Sequence, residues 1–117
     1  MNQILNYEKA LSITGGDAEL VSELLDLFLE ELPKLESQIK QAIDTEDAKG
    51  LEYAAHTLKG AAGNIGAEII WDISLKLEMM GRNKDMVGSQ QTLEQLFPEI
   101  QKLQREITAR QSSTVQK

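Results

Sequence analysis

From Ala18 to Ile43 apolar residues recur at three- and four-residue spacing: Leu20, Leu24, Leu27, Phe28, Leu32, Leu35, Ile39 and Ile43. That spacing lines one face of an α-helix and does not fit the two-residue period of a strand. Asp17, just after Gly15-Gly16, is placed to cap the helix. The pattern predicts one long amphipathic helix, or two in line, with Pro33 as the expected kink.

The same period returns elsewhere. Residues 4–14 read as a lead-in with a short helix. Asp44-Thr45-Glu46-Asp47 offers turn and cap residues before a helix over about 47–63, which Gly63-Asn64-Ile65-Gly66 ends. Ile69, Ile70, Ile73 and Leu77 mark a helix over about 67–81, followed by a turn-rich loop over 81–85. Ser89 is placed to cap a last helix through Leu93, Leu96, Phe97, Ile100, Leu103 and Ile107, with Pro98 as a second expected kink. Residues 111–117 carry no periodicity and are expected to be a disordered tail to a domain of 1–110. Four substantial amphipathic helices with short connections predict an all-α fold, an antiparallel four-helix bundle with a short N-terminal helix. An extended coiled coil needs unbroken heptads, which the Gly and Pro breaks forbid.

Composition narrows the function classes. A net charge of -7 opposes binding to nucleic acid or an anionic membrane. There is no cysteine, hence no disulfide framework or thiolate metal site. No signal-peptide h-region or run of about 18 apolar residues occurs, and the expectation is a cytoplasmic protein.

The chain holds one histidine, His56. At about 100° per residue, Leu51, Ala54, Ala55, Leu58, Ala62 and Ile65 share one stripe and His56 falls near 140° from its centre. His56 is therefore expected on the outer face, beside Gly60 and Gly63 and flanked by Lys49 and Lys59. Glycine inside a helix costs roughly 1 kcal/mol relative to alanine. Gly60 lies too far inside to be a helix stop, so a cleared landing area beside the imidazole is the reading. On the next helix Trp71, Leu75, Glu78 and Arg82 share a side away from the Ile69, Ile70, Ile73, Leu77 and Met80 stripe. If the two helices pair antiparallel, Glu78 returns near the level of His56. A carboxylate there would accept from Nδ1–H and leave Nε2 as a nucleophile; a solvated glutamate is the other reading of the same spacing.

The segment AAHTLKGAAGNIGA at 54–67 closely resembles the histidine-containing phosphotransfer (HPt) family of two-component phosphorelays. It carries the family's His-x-x-Lys-Gly core and its small-residue continuation. Gly15-Gly16-Asp17, Phe28, Leu77-Glu78 and Arg82 also stand where the family pattern has them, so the resemblance covers roughly residues 5–105. The resemblance implies that His56 receives a phosphoryl group on Nε2 and exchanges it with aspartates of response-regulator receiver domains. Lys59 is then the phosphoryl-supporting cation, Glu78 the Nδ1 partner, and Gly60 the space for the receiver. Lys49, Gly63, Trp71 and Leu75 are expected at the docking edge. The implied partners are receiver domains and a hybrid sensor histidine kinase, and the implied state is a monomer. No cofactor or metal is implied in this chain, and no nucleotide-binding pattern suggests kinase activity of its own.

The alternative is a non-catalytic helical-bundle interaction module with an incidental histidine. A metal enzyme built in a bundle core needs several converging ligands, which one outward histidine does not supply.

Overall fold

The computed structural model describes residues 5–115, with side chains for 5–110. Ile4 of the expected lead-in, and Gln116 and Lys117 of the expected tail, lie outside the described residues. The described residues form α1 (Tyr7–Ile13), α2 (Ala18–Asp44), α3 (Ala48–Asn64), α4 (Glu68–Arg82) and α5 (Ser89–Val115). Helices α2 and α3, α3 and α4, α4 and α5, and α5 and α2 pack pairwise, so the last four close a ring, with α1 against α2. Short connections make successive helices antiparallel. The result is the four-helix bundle with an N-terminal helix that the periodicity predicts. At about 1.5 Å per residue, the 27-residue α2 and α5 account for most of the 48 Å long axis, against 25 and 24 Å across.

Helix starts are marked chemically. Side chains of Asn6, Asp17 and Asp47 accept from the N–H groups of Lys9, Leu20 and Gly50 at 3.0, 3.0 and 2.9 Å. Each satisfies a donor that the first turn of a helix leaves open. Ser89, expected as a cap, is instead the buried first residue of α5; the Gly88 carbonyl accepts from the Thr92 N–H and Oγ1 at 3.0 and 3.1 Å.

Neither proline ends a helix: α2 runs through Pro33 as one helix, and α5 runs through Pro98. Both prolines lie on exposed faces, where water is available to the carbonyl each leaves without a donor. Helix α5 also continues past residue 110, where the sequence predicts a tail. Residues 111–115 hold no Gly or Pro to halt propagation.

The α3 stripe is buried as expected: Leu51, Ala54, Ala55, Leu58, Ala62 and Ile65. On α2 the buried face is Val21, Leu25, Phe28, Leu32, Leu35, Ile39 and Ile43. Leu20 and Leu27, expected on that face, are 39% and 53% exposed; each lies more than about 100° around the helix from Leu32. On α4, Ile69 is exposed and Met80 half-buried, while Ser74, Glu78 and Gly81 join Ile70, Ile73 and Leu77 inside.

Gly81, expected in a loop, lies within α4 and is buried. A Cβ there would meet the Ala48 carbonyl oxygen and the Glu52 nitrogen, each at 2.5 Å. The missing side chain therefore sets how closely α4 lies on the first turns of α3. Gly81→Ala should lower the unfolding free energy by about 1–3 kcal/mol, the usual range for overpacking, measured by urea denaturation. An unchanged midpoint would show that the two backbones do not press together there.

Candidate functional site

Helix α3 holds His56 outward: its side chain is 65% exposed, while Ala54, Ala55 and Leu58 around it are buried. Helix α4 supplies Glu78 from the facing side, with 1% of its side chain exposed. His56 Nδ1 and Glu78 Oε2 are 2.8 Å apart. Lys59 Nζ stands 2.7 Å from Glu78 Oε1, a charge contact without hydrogen-bond alignment. Arg82 Nη2 donates to Glu78 Oε2 at 3.1 Å, and Arg82 Nε donates to Glu52 Oε2 at 3.2 Å.

Burial by itself pushes the Glu78 carboxyl up. The Lys59 ammonium and the His56 ring outweigh it and hold the group below the usual carboxylate range. Glu78 is thus ionised at neutral pH, and an ionised carboxylate only accepts. Nδ1 must therefore carry the proton, and the neutral ring keeps its lone pair on Nε2. That is a fixed tautomer on an exposed ring, the arrangement a nitrogen nucleophile needs.

The outer surface near the ring is open. A Cβ on Gly60 would find no atom within 4 Å. A Cβ on Gly63 would sit 3.4 Å from Trp71 Cδ1, so Gly63 is a packing position inside α3; the turn that follows uses Gly66, at φ +70°. Among the described residues no helix is long and apolar enough to cross a membrane, and no group of three or more candidate metal ligands assembles.

A family model described as Hpt domain matches residues 23–112. The chain belongs to the Hpt domain family. Domains of this family are phosphotransfer intermediates of two-component signalling, not kinases. The chain is 26% identical over 92 residues to the phosphorelay intermediate protein rdeA of Dictyostelium discoideum, covering 79% of this chain and 35% of that protein. It is 28% identical over 95 residues to histidine-containing phosphotransfer protein 2 of Arabidopsis thaliana, covering 79% and 61%. The signal transduction histidine-protein kinase BarA of Escherichia coli (strain K12) matches 97% of this chain at 26% identity over 116 residues, which is 12% of the kinase. The chain thus spans less than two thirds of each of these relatives. Among solved structures, histidine-containing phosphotransfer protein B of Pseudomonas aeruginosa PAO1 superimposes with a TM-score of 0.87 at 20% identity, over 97% of this chain and 98% of that one. The HPT domain of a sensor hybrid histidine kinase from Shewanella gives 0.84 at 20%, over 94% and 95%. At that identity the shared property is the fold.

In this Hpt domain, His56, Lys59 and Glu78 come together as the spacing suggests, and Glu78 proves buried and not a solvated helix residue. Gly60 and Gly63 share the face of His56. Trp71 is 36% exposed, with its indole edge toward Gly63, and Leu75 is half-buried between it and Glu78 along α4. The two lysines expected to flank His56 differ in their surroundings. Lys59 is 20% exposed and engaged with Glu78, while exposed Lys49 lies two turns, about 10 Å, before His56. Sequence reasoning gave no role to Glu52 and left Arg82 without one. The signal was present: Glu52 stands one helical turn before His56, and Glu78 and Arg82 are four apart on one helix.

Because the folded Glu78 pKa is depressed, its contribution to stability is full above the ordinary carboxylate pKa of about 4.3 and disappears as pH falls through the lower folded value. Half-buried Glu36, which burial pushes up, shifts in the opposite sense but is common to both proteins compared. The stability advantage of the wild type over Glu78→Gln should therefore shrink on acidification below about pH 4.3, read from urea midpoints across the acid range. An advantage that grows toward acid would show that Glu78 is not held as the carboxylate.

Proposed function

We propose that this Hpt domain is a phosphorelay intermediate in which His56 Nε2 takes a phosphoryl group from a receiver-domain aspartyl phosphate and hands it to another receiver aspartate. The 2.8 Å contact between His56 Nδ1 and buried Glu78 supports the reading most directly. In the forward step the Nε2 lone pair attacks phosphorus. The N–P bond forms as the P–O bond to the aspartyl carboxylate breaks, and the electron pair leaves with that oxygen. Nδ1 keeps its proton, so the phosphorylated ring carries positive charge, which the Glu78 carboxylate offsets. The reverse sequence returns the group. Lys59 is within reach as the cation for the phosphoryl oxygens, which gather charge in such transfers.

Gly60 leaves room for the receiver; Lys49, Gly63, Trp71 and Leu75 form its docking edge. A transient contact of this kind buries less than about 1,200 Å² in total. The partners are receiver domains and a hybrid sensor histidine kinase, met by a cytoplasmic monomer. The match to a segment of BarA supports the kinase as partner class.

The test follows label from a phosphorylated receiver. An acid-labile label should appear on the wild type and be absent from His56→Gln, which should still fold, at a cost of about 1–3 kcal/mol where the bond to buried Glu78 is lost. A wild type that takes no label from a broad panel of receivers would leave the interaction-module alternative in its place. Gly60→Leu separates docking from folding. Its side chain meets open space and leucine is the better helix former by up to about 1 kcal/mol, so the variant should melt no earlier while transfer from a receiver falls. Parallel losses in melting and transfer would refute the steric role.

A further inference from the structure

Lys59 is unlike the other paired lysines. The side chains of Lys9, Lys40 and Lys102 are 50%, 58% and 51% exposed in their ion pairs, and that of Lys59 is 20% exposed. Two groups confine it, both from α4. Its ammonium lies 2.7 Å from Glu78 Oε1 and 5.7 Å from the centroid of the Trp71 ring, within the range of cation–π attraction. Trp71 and Glu78 are two helical turns apart on one side of α4, so Lys59, reaching across from α3, is held between a carboxylate and a ring. The ring itself is placed by an absence. Gly63 presents no side chain, and a Cβ there would stand 3.4 Å from Trp71 Cδ1 and 3.6 Å from Nε1.

A lysine stem is flexible and its ammonium strongly hydrated. One contact to a carboxylate leaves the head free to swing into water; a second contact on a ring face restricts the swing. We propose that Trp71 is a positioning residue for Lys59: its ring keeps the ammonium beside Glu78, one carboxylate away from the His56 imidazole, so that the cation meets a phosphoryl group arriving at Nε2 without being gathered from solvent. This inference rests on the phosphotransfer reading of His56. It gives Trp71 a role in the chemistry that is separable from any contact with the receiver. Gly63 belongs to the same device, since it sets where the ring edge lies.

Two measurements test it. The first is the NMR shift of the Lys59 Cε methylene in the wild type, Trp71→Phe and Trp71→Ala. A ring-current displacement should be present in the first two and lost in the third; identical shifts in all three overturn the proposal. The second is the initial rate of His56 phosphorylation by phosphoramidate, a donor with no docking surface. Trp71→Ala should slow it about three- to fivefold, the size of a partly exposed cation–π contact, and Trp71→Phe should restore most of the rate. With Lys59→Ala already present, adding Trp71→Ala should change nothing. Equal slowing in that background would mean that Trp71 acts without Lys59, and slowing confined to a receiver as donor would make Trp71 a docking residue; either result overturns the positioning role. Normal labelling of the wild type that is indifferent to Trp71 defeats this inference alone. No label from either donor, with the ring-current contact intact, defeats the phosphotransfer reading and this role with it.

Discussion

An ionised carboxylate with 1% of its side chain exposed is costly, by several kcal/mol, unless charges and hydrogen bonds replace the water it has lost. Glu78 is served by three groups. His56 and Lys59 stand three residues apart on α3, so one helical face delivers both to the two oxygens. Arg82 reaches back from one turn further along α4, and Glu52 holds its other side. None of this forms unless the two helices approach closely, and Gly81 permits the approach by leaving its backbone against those of Ala48 and Glu52. Fold and site therefore share one constraint. The packing that closes α3 on α4 also delivers the acceptor to the imidazole.

The imidazole consequently has a fixed side and an open side. Nδ1 is tied to a buried group that tolerates little movement, while the rest of the ring is exposed and Gly60, one turn on, has empty space beside it. A nucleophile mounted on a helix and fixed by the residue behind it is oriented before any partner arrives. In the proposed relay the partner supplies the rest of the enclosure. Attraction to that partner rests little on Lys59, because its charge is already engaged within the domain. On the proposed reading it falls to exposed Lys49 and to the apolar surface of Trp71.

Much of this was legible in the sequence, and the rest was hidden for identifiable reasons. The α3 stripe, the outward histidine and the bundle all follow from a 3.6-residue period, because one strongly patterned face decides burial. The α4 stripe holds for Ile70, Ile73 and Leu77 and fails at Ile69. Centring it on Ile73 and its apolar neighbours predicted Ile69 inside, yet the buried arc turns toward Ser74, Gly81 and Glu78. Helix α4 packs on both α3 and α5, and the α3-facing side is lined by small and charged residues that no hydrophobic pattern marks. Buried Glu78 is the extreme case. A glutamate reads as surface until its three partners are known, and two of those lie on another helix whose register the sequence leaves open. The same holds for Gly81, a loop residue by composition and a contact residue by position.

The sharing of Glu78 has a consequence for transfer in both directions. A lone carboxylate on Nδ1–H makes an imidazole more basic and favours the cationic, phosphorylated ring. Here the same carboxylate is divided among the ring, Lys59 and Arg82, and each added cation lowers the negative potential felt by the others. Glu78 then fixes the tautomer while stabilising the ring cation less than an undivided carboxylate would. In the proposed relay a phosphoryl group on the ring would give Lys59 a second anion to serve, and any part of its charge that moved there would return Glu78 more fully to the ring. On that reading, stabilisation of the phosphorylated state would be coupled to the position of one ammonium, and the placement of Lys59, and not the strength of the His56–Glu78 contact alone, would balance acceptance against release.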